Sequence, residues 1–193
     1  MRIIIILILA LSLRLVALNQ SLWLDEAISA NVAKMPIEKI ISTFSINDFH
    51  PPIYYIFLNL WTNVFNNEVI ALRLSSIVFS LITIYFVYLI GKKIKNKERG
   101  ILAALFLTVN PLFVYFSQEL RMYSMATMWL IIGFYFFVKI KNKEYKTKDI
   151  IIFNLMMALA FTTFYGSIFL ITTFAIYFRS EEHTSELQSR ITI

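Results

Sequence analysis

The sequence predicts an all-α protein. It reads as a polytopic transmembrane helical bundle with a long external loop of interfacial helices between the first two membrane spans. Three observations carry this. First, 59% of the 193 residues are hydrophobic and only 16% charged, with a mean hydropathy of +0.70. A soluble domain carries about 25% charged residues, and a chain this short must still cover itself in polar surface, so lipid is the better solvent. Second, the apolar residues fall into runs of membrane-crossing length. Third, ten of the 18 Lys/Arg sit in two short loops: Lys92, Lys93, Lys95, Lys97 and Arg99, then Lys139, Lys141, Lys143, Lys146 and Lys148. Each loop lies between apolar runs, the signature of cytoplasmic connections. With a formal charge of +6 and a pI of 9.5, a nucleic-acid-binding stripe is the other reading of this basicity. The confinement of the lysines to two loops argues against it, so no nucleic-acid partner is expected. A cytosolic enzyme, a disulfide scaffold and a disordered tail are excluded by composition and by the lack of cysteine.

Ile3–Leu18 is apolar except for Arg14. At ~1.5 Å per residue it is about 24 Å long, slightly short of the ~30 Å hydrocarbon core. Arg14, and the lack of a small-residue cleavage site before Trp23, favour an uncleaved helix over a signal peptide. Arg2 and the free amine place the N-terminus inside. Further spans are expected at Leu72–Ile90, Ile101–Phe116, Tyr123–Val138 and Ile150–Phe178. Asn110-Pro111 should kink the second of these, because proline removes a backbone donor. Ile150–Phe178 is too long for one span, and Tyr165-Gly166-Ser167 is the expected turn between two helices.

Ile53–Phe65 is apolar yet, at about 20 Å, has the length of an interfacial or re-entrant helix. Both ends of Asn19–Ala71 fall outside, so this region is expected to lie on the membrane. Pro36 can open a helix there, with Ile37, Ile40, Ile41 and Phe44 on one face and Glu38, Lys39 and Ser42 opposite. Trp23 and Trp61 suit the headgroup layer.

The chain ends differently. From Arg179 to Ser189 it matches, residue for residue, the translation of a common sequencing-adapter oligonucleotide. Residues 1–178 are therefore read as the N-terminal part of a membrane domain and 179–193 as an adapter scar. His183 falls in that scar, which leaves His50 as the histidine to consider. The stretch 1–178 alone is expected to be inactive, as the front part of a longer protein.

Three polar clusters fall near the external boundary. In Ser21-Leu22-Trp23-Leu24-Asp25-Glu26-Ala27 two adjacent carboxylates project about 100° apart on a helix, so one can face a site while the other packs. Carboxylates near lipid are costly and suggest function; a capping pair for a helix over Glu26–Lys34 explains them equally well. Asn47-Asp48-Phe49-His50-Pro51-Pro52-Ile53-Tyr54-Tyr55 holds His50 at the mouth of a helix opened by two prolines. A lone histidine is more often structural than catalytic. In Ser117-Gln118-Glu119-Leu120-Arg121-Met122-Tyr123, Glu119 and Tyr123 share a face if the helix continues, as do Gln118 and Arg121; a plain surface turn is the alternative. Arg73 sits at the outer end of its span, placed to snorkel or to bind an anionic headgroup.

Leu22-Trp23-Leu24-Asp25-Glu26, His50-Pro51-Pro52-Ile53-Tyr54-Tyr55, Ala71-Leu72-Arg73-Leu74-Ser75 and Ser117–Tyr123, in that order, resemble the N-terminal half of C-type-fold membrane glycosyltransferases. The similarity is to the protein O-mannosyltransferase and aminoarabinose-transferase-like enzymes. The resemblance implies an inverting transfer of a hexosyl or pentosyl group from a polyprenyl-phosphate donor. The acceptor would be a protein or lipid glycan on the extracytoplasmic face of the plasma membrane. It maps the acceptor-activating acid to Asp25, with Glu26 its neighbour in the motif, and a further acidic site residue to Glu119. His50, Tyr54, Tyr55 and Tyr123 would line the substrate pocket, and Arg73 and Arg121 would hold phosphate. A divalent metal ion is a candidate cofactor, with Asp25, Glu119 and His50 as ligands. The competing class is a transporter or lipid-linked-sugar flippase. Such proteins place polar residues at the midplane and on broken helices, whereas here the charges crowd the outer boundary.

Overall fold

The computed structural model describes residues 1–16, 18–44, 50–65 and 68–191. Among the described residues it is helical, without strands. The first helix, α1 (Arg2–Leu15), leads into a loop and then α2 (Leu24–Val32). A short turn of helix, α3 (Ile37–Lys39), runs into π-type turns at Ile40–Phe44, and α4 covers Ile53–Phe65. The main bundle follows as α5 (Val69–Ile94), α6 (Lys97–Val109), α7 (Pro111–Gln118), α8 (Tyr123–Lys141), α9 (Thr147–Thr163) and α10 (Ile168–Ile191). Asn47, Asp48 and Phe49 of the histidine cluster lie outside the described residues.

Among the described residues two helices, α5 and α8, are long and apolar enough to cross a membrane, and α6 with α7, bent by 63°, adds a third if the pair forms one span. The bend falls at Asn110-Pro111, where the kink was expected. Asn110 caps the new helix by accepting from Phe113 N at 2.9 Å, and Pro111 occupies its first turn, where a missing N–H costs nothing. The long run at Ile150–Phe178 also divides as expected, through a 3-10 turn at Tyr165–Ser167.

Two expectations need correction. The first helix stops at Leu15, not Leu18, because Val16 turns extended and Gln118 Nε2 takes the Arg14 and Val16 carbonyls at 3.1 and 2.7 Å. The segment after Pro36 does not present one apolar face. The wider π-type turns break the helical register, so Ile40 is buried while Ile37 and Ile41 are exposed.

α5 is the hub, packed against α1, α4, α6, α7 and α8. Three apolar clusters divide the bundle. Ile6, Ala10, Ile84, Tyr88 and Ala104 join α1, α5 and α6, and Phe137, Val138, Phe153, Met157 and Phe174 join α8, α9 and α10. The third, with Val32, Ile40, Tyr54, Leu58, Leu72, Phe79, Leu120 and Met125, seats the segment between α1 and α5 on one end of the bundle. Asn59 Nδ2 closes the end of α2 by donating to the Ala33 and Met35 carbonyls, both at 2.9 Å.

The bundle has a basic end. Arg2 pairs with Glu98 at 2.9 Å, Lys139 with Asp149 at 2.7 Å, and Lys93 with Glu144. These contacts bring the N-terminus and both lysine-rich loops to one side.

Candidate functional site

The candidate residues gather at the opposite end, where α2, α4, α5 and the α7–α8 turn meet. Asp25 and Glu26 lie in the first turn of α2 and divide as their angular spacing allows. The Asp25 side chain is 38% exposed and that of Glu26 1%.

Glu26 is held by four donors. Arg73 Nε and Nη2 reach its carboxylate at 3.0 and 2.6 Å, Leu120 N at 2.8 Å and Trp23 N at 3.4 Å. The last contact is a helix-capping one, so Glu26 caps and packs at once. Arg73 also donates to the carbonyls of Leu18 and Gln20, both at 2.8 Å, and of Ser21 at 3.4 Å. A guanidinium has five N–H donors, and each of these bonds meets a protein acceptor. Arg73 therefore neither snorkels nor presents a free fork to phosphate in this arrangement. With Glu26 it ties the chain before α2, the start of α5 and the α7–α8 turn into one buried node.

That turn also departs from the sequence reading. The helix does not continue through it, because Glu119 is extended at φ −82°, ψ 141° and α8 begins at Tyr123. The pairings of Glu119 with Tyr123 and of Gln118 with Arg121 on a shared helical face do not arise. Ser76 Oγ donates to the Glu119 carbonyl at 2.6 Å and fixes the turn to α5.

The break swings Arg121 towards Asp25 and His50. Its Nη2 is 3.5 Å from Asp25 Oδ2 and 3.5 Å from His50 Nε2, and its Nη1 donates to the Asp25 carbonyl at 3.4 Å. Its Nε is buried without a partner among the described residues, and the guanidinium carbon lies 5.9 Å from the Tyr123 ring centroid. Asp25, His50 and Arg121 thus form one loosely bonded cluster, in contrast to the tight Glu26–Arg73 pair. Contacts at 3.5 Å are at the outer limit of hydrogen bonding, so they are weak and readily exchanged for bonds to a ligand.

Beside this cluster is a cavity of about 300 Å³ lined by Trp23, Glu26, Arg73, Tyr115, Gln118 and Glu119 among others. Burial pushes the Glu119 carboxyl above its ordinary value, and the nearby Glu26 and Asp25 charges push the same way, against the Tyr115 hydroxyl and Arg121. Tyr54 and Tyr55 lie beneath the site, each 1% exposed and packed edge to face at 5.5 Å, and the Tyr54 hydroxyl has no partner among the described residues. Tyr123 packs between Phe116 and Phe164 at 5.2 and 5.7 Å. Among the described residues no three His, Asp or Glu side chains are grouped so as to hold a metal ion.

Sequence reasoning passed over Ser76 and Tyr115, and used Arg14 only as a sign that the first helix is uncleaved. Arg14 is fully buried, donating to Ser80 Oγ at 2.9 Å, to the Ala10 carbonyl at 3.1 Å and to the Thr108 carbonyl at 3.3 Å, with its guanidinium 5.2 Å from the Phe113 ring centroid. The Thr108 carbonyl belongs to the last turn of α6, where the proline break ends the ladder. The signal was an ionisable residue inside an apolar run.

Fold and site together define a membrane-embedded helical protein with a carboxylate, imidazole and guanidinium cluster at the end away from its basic loops. The family model of dolichyl-phosphate-mannose-protein mannosyltransferases matches residues 49–193, and the chain belongs to that family. It is a membrane glycosyltransferase of the mannosyltransferase type, for which a lipid-linked sugar donor and an acceptor are implied. No curated protein and no solved structure matches the chain. The matched stretch holds His50, Tyr54, Tyr55, Arg73, Glu119, Arg121 and Tyr123, while Asp25 and Glu26 precede it.

Proposed function

We propose that the chain supplies the N-terminal part of an inverting transferase that moves a sugar from a polyprenyl-phosphate donor to an acceptor hydroxyl on the extracytoplasmic face. The observation that carries this is Asp25, a half-exposed carboxylate in loose contact with Arg121. A carboxylate so placed takes the acceptor proton as the hydroxyl oxygen bonds to the sugar's anomeric carbon. The carbon–oxygen bond to phosphate breaks, and its electron pair leaves with the lipid phosphate. Arg121 supports the charge gathering there, and the proton on Asp25 passes to water afterwards. Glu26 and Arg73 are positioning residues that hold the Asp25 helix against the turn carrying Glu119 and Arg121. His50 lies 3.5 Å from the same Arg121 nitrogen that faces Asp25, which suits a place at the donor phosphate. The extracytoplasmic side is supported by the basic loops at the opposite end, in keeping with the excess of Lys and Arg in cytoplasmic connections.

Family membership decides against the transporter or flippase alternative. The test is Asp25→Asn in the complete enzyme. Transfer should fall to background while expression and membrane insertion persist; undiminished transfer would remove Asp25 as the base.

A further inference from the structure

We propose that the cleft between α5 and α8 at the basic end binds a phosphate group presented by the head of an anionic phospholipid. A cavity of about 320 Å³ opens there, lined by Leu89, Lys92, Lys93 and Tyr135. Leu89 and Tyr135 make its apolar part, and Tyr135 is braced edge to face on Phe86 at 5.6 Å. Lys92 and Lys93 stand where the apolar run of α5 gives way to charge, the depth at which bilayer phosphates lie.

The two lysines are differently placed. Lys93 is 22% exposed and paired with Glu144, so its ammonium is held at the rim with donors to spare. Lys92 makes no hydrogen bond or ion pair among the described residues. The acids that pair across this end are Glu98, Glu144 and Asp149, and none of them lines the cavity. A concave, half-apolar site with two cations and no carboxylate in its wall suits a phosphodiester with glycerol and the start of acyl chain behind it. The surrounding lysines raise the local concentration of anionic lipid. This site is at the far end from the transfer cluster and does not depend on the transfer reaction.

The test uses the purified full chain in nanodiscs of mixed phosphatidylglycerol and phosphatidylcholine, with retained lipid counted by native mass spectrometry. Phosphatidylglycerol should be retained several-fold over phosphatidylcholine. Lys92→Gln with Lys93→Gln should abolish that preference, and Lys95→Gln with Lys97→Gln, which removes the same charge outside the cavity, should preserve it. Leu89→Trp fills the cleft with both lysines intact and should also lower retention. Equal loss in the two double variants, or full retention in Leu89→Trp, would assign the effect to diffuse surface charge and overturn the site. Displacement of the lipid by inorganic phosphate at low concentration, dependent on Lys92 and Lys93, would overturn the lipid as the source. Circular dichroism at unchanged helicity keeps each variant interpretable.

Discussion

Glu26 has its negative charge balanced within contact distance on every side, by a guanidinium and two backbone N–H groups. Removing one partner of such a buried pair strands the other and costs about 3–5 kcal/mol. Glu26→Gln should therefore lower thermal stability in detergent strongly, Arg73→Gln similarly, and the double variant by much less than the sum. Additive losses would mean that the pair is not coupled. Glu119 behaves in the opposite sense. Its proton is held to higher pH in the folded chain than in the unfolded one, so the folded state binds more protons in the window just above the ordinary glutamate range. Stability should fall as pH rises through that window, and Glu119→Gln should flatten the dependence relative to the parent. Thermal melts at a series of pH values measure both. That Asp25 and Glu26 can divide, one inward and one outward, follows from helix geometry alone. Which one does so depends on Arg73, 47 positions further on, and no local pattern carries that information.

At the scale of elements, close approach of α5 and α6 sets the bundle. A Cβ added at Gly100 would lie 2.4 Å from the Tyr88 carbonyl oxygen, a backbone atom that cannot yield without moving a helix. At Gly133 the nearest atom, at 2.1 Å, is the flexible end of Met157. Gly100→Ala should thus lower the melting temperature more than Gly133→Ala; the reverse order would show that α5 and α6 can separate freely. The elements best legible in the sequence were those with chemical punctuation, namely the Asn110-Pro111 break, the Tyr165-Gly166-Ser167 turn and Ile53–Phe65. Less legible were elements ended from a distance. Gln118 stops α1 across the fold, and the extended Glu119 that separates α7 from α8 is held by Ser76 of α5.

For the whole molecule, the two lysine-rich loops were enough to divide the chain into ends, because charge cannot be left in hydrocarbon. The grouping of Asp25, His50 and Arg121 needed the folded chain, since only their common side was readable. The proposed adapter origin of residues 179–193 is also a whole-chain matter. Reading the source DNA onward from the Phe178 codon, with a different library chemistry, should give further apolar spans in frame. Genomic codons for Arg179–Ile193 followed by a stop would refute the adapter origin.

Arg14 carries a consequence for how this protein is made. An arginine costs about 2.5–3.5 kcal/mol at the centre of a membrane helix and less towards its end; Arg14, in the last turn of α1, is nonetheless fully buried, and its partners beyond its own helix are Ser80 and Thr108. Neither has been synthesised when α1 leaves the ribosome. The buried contacts of Arg14 therefore form only once α5 and α6 arrive, and until then its guanidinium can reach the headgroup layer from the end of α1. Docking of α1 on α5 and α6 thus exchanges the partners of one side chain, from headgroup and water to Ser80 and Thr108.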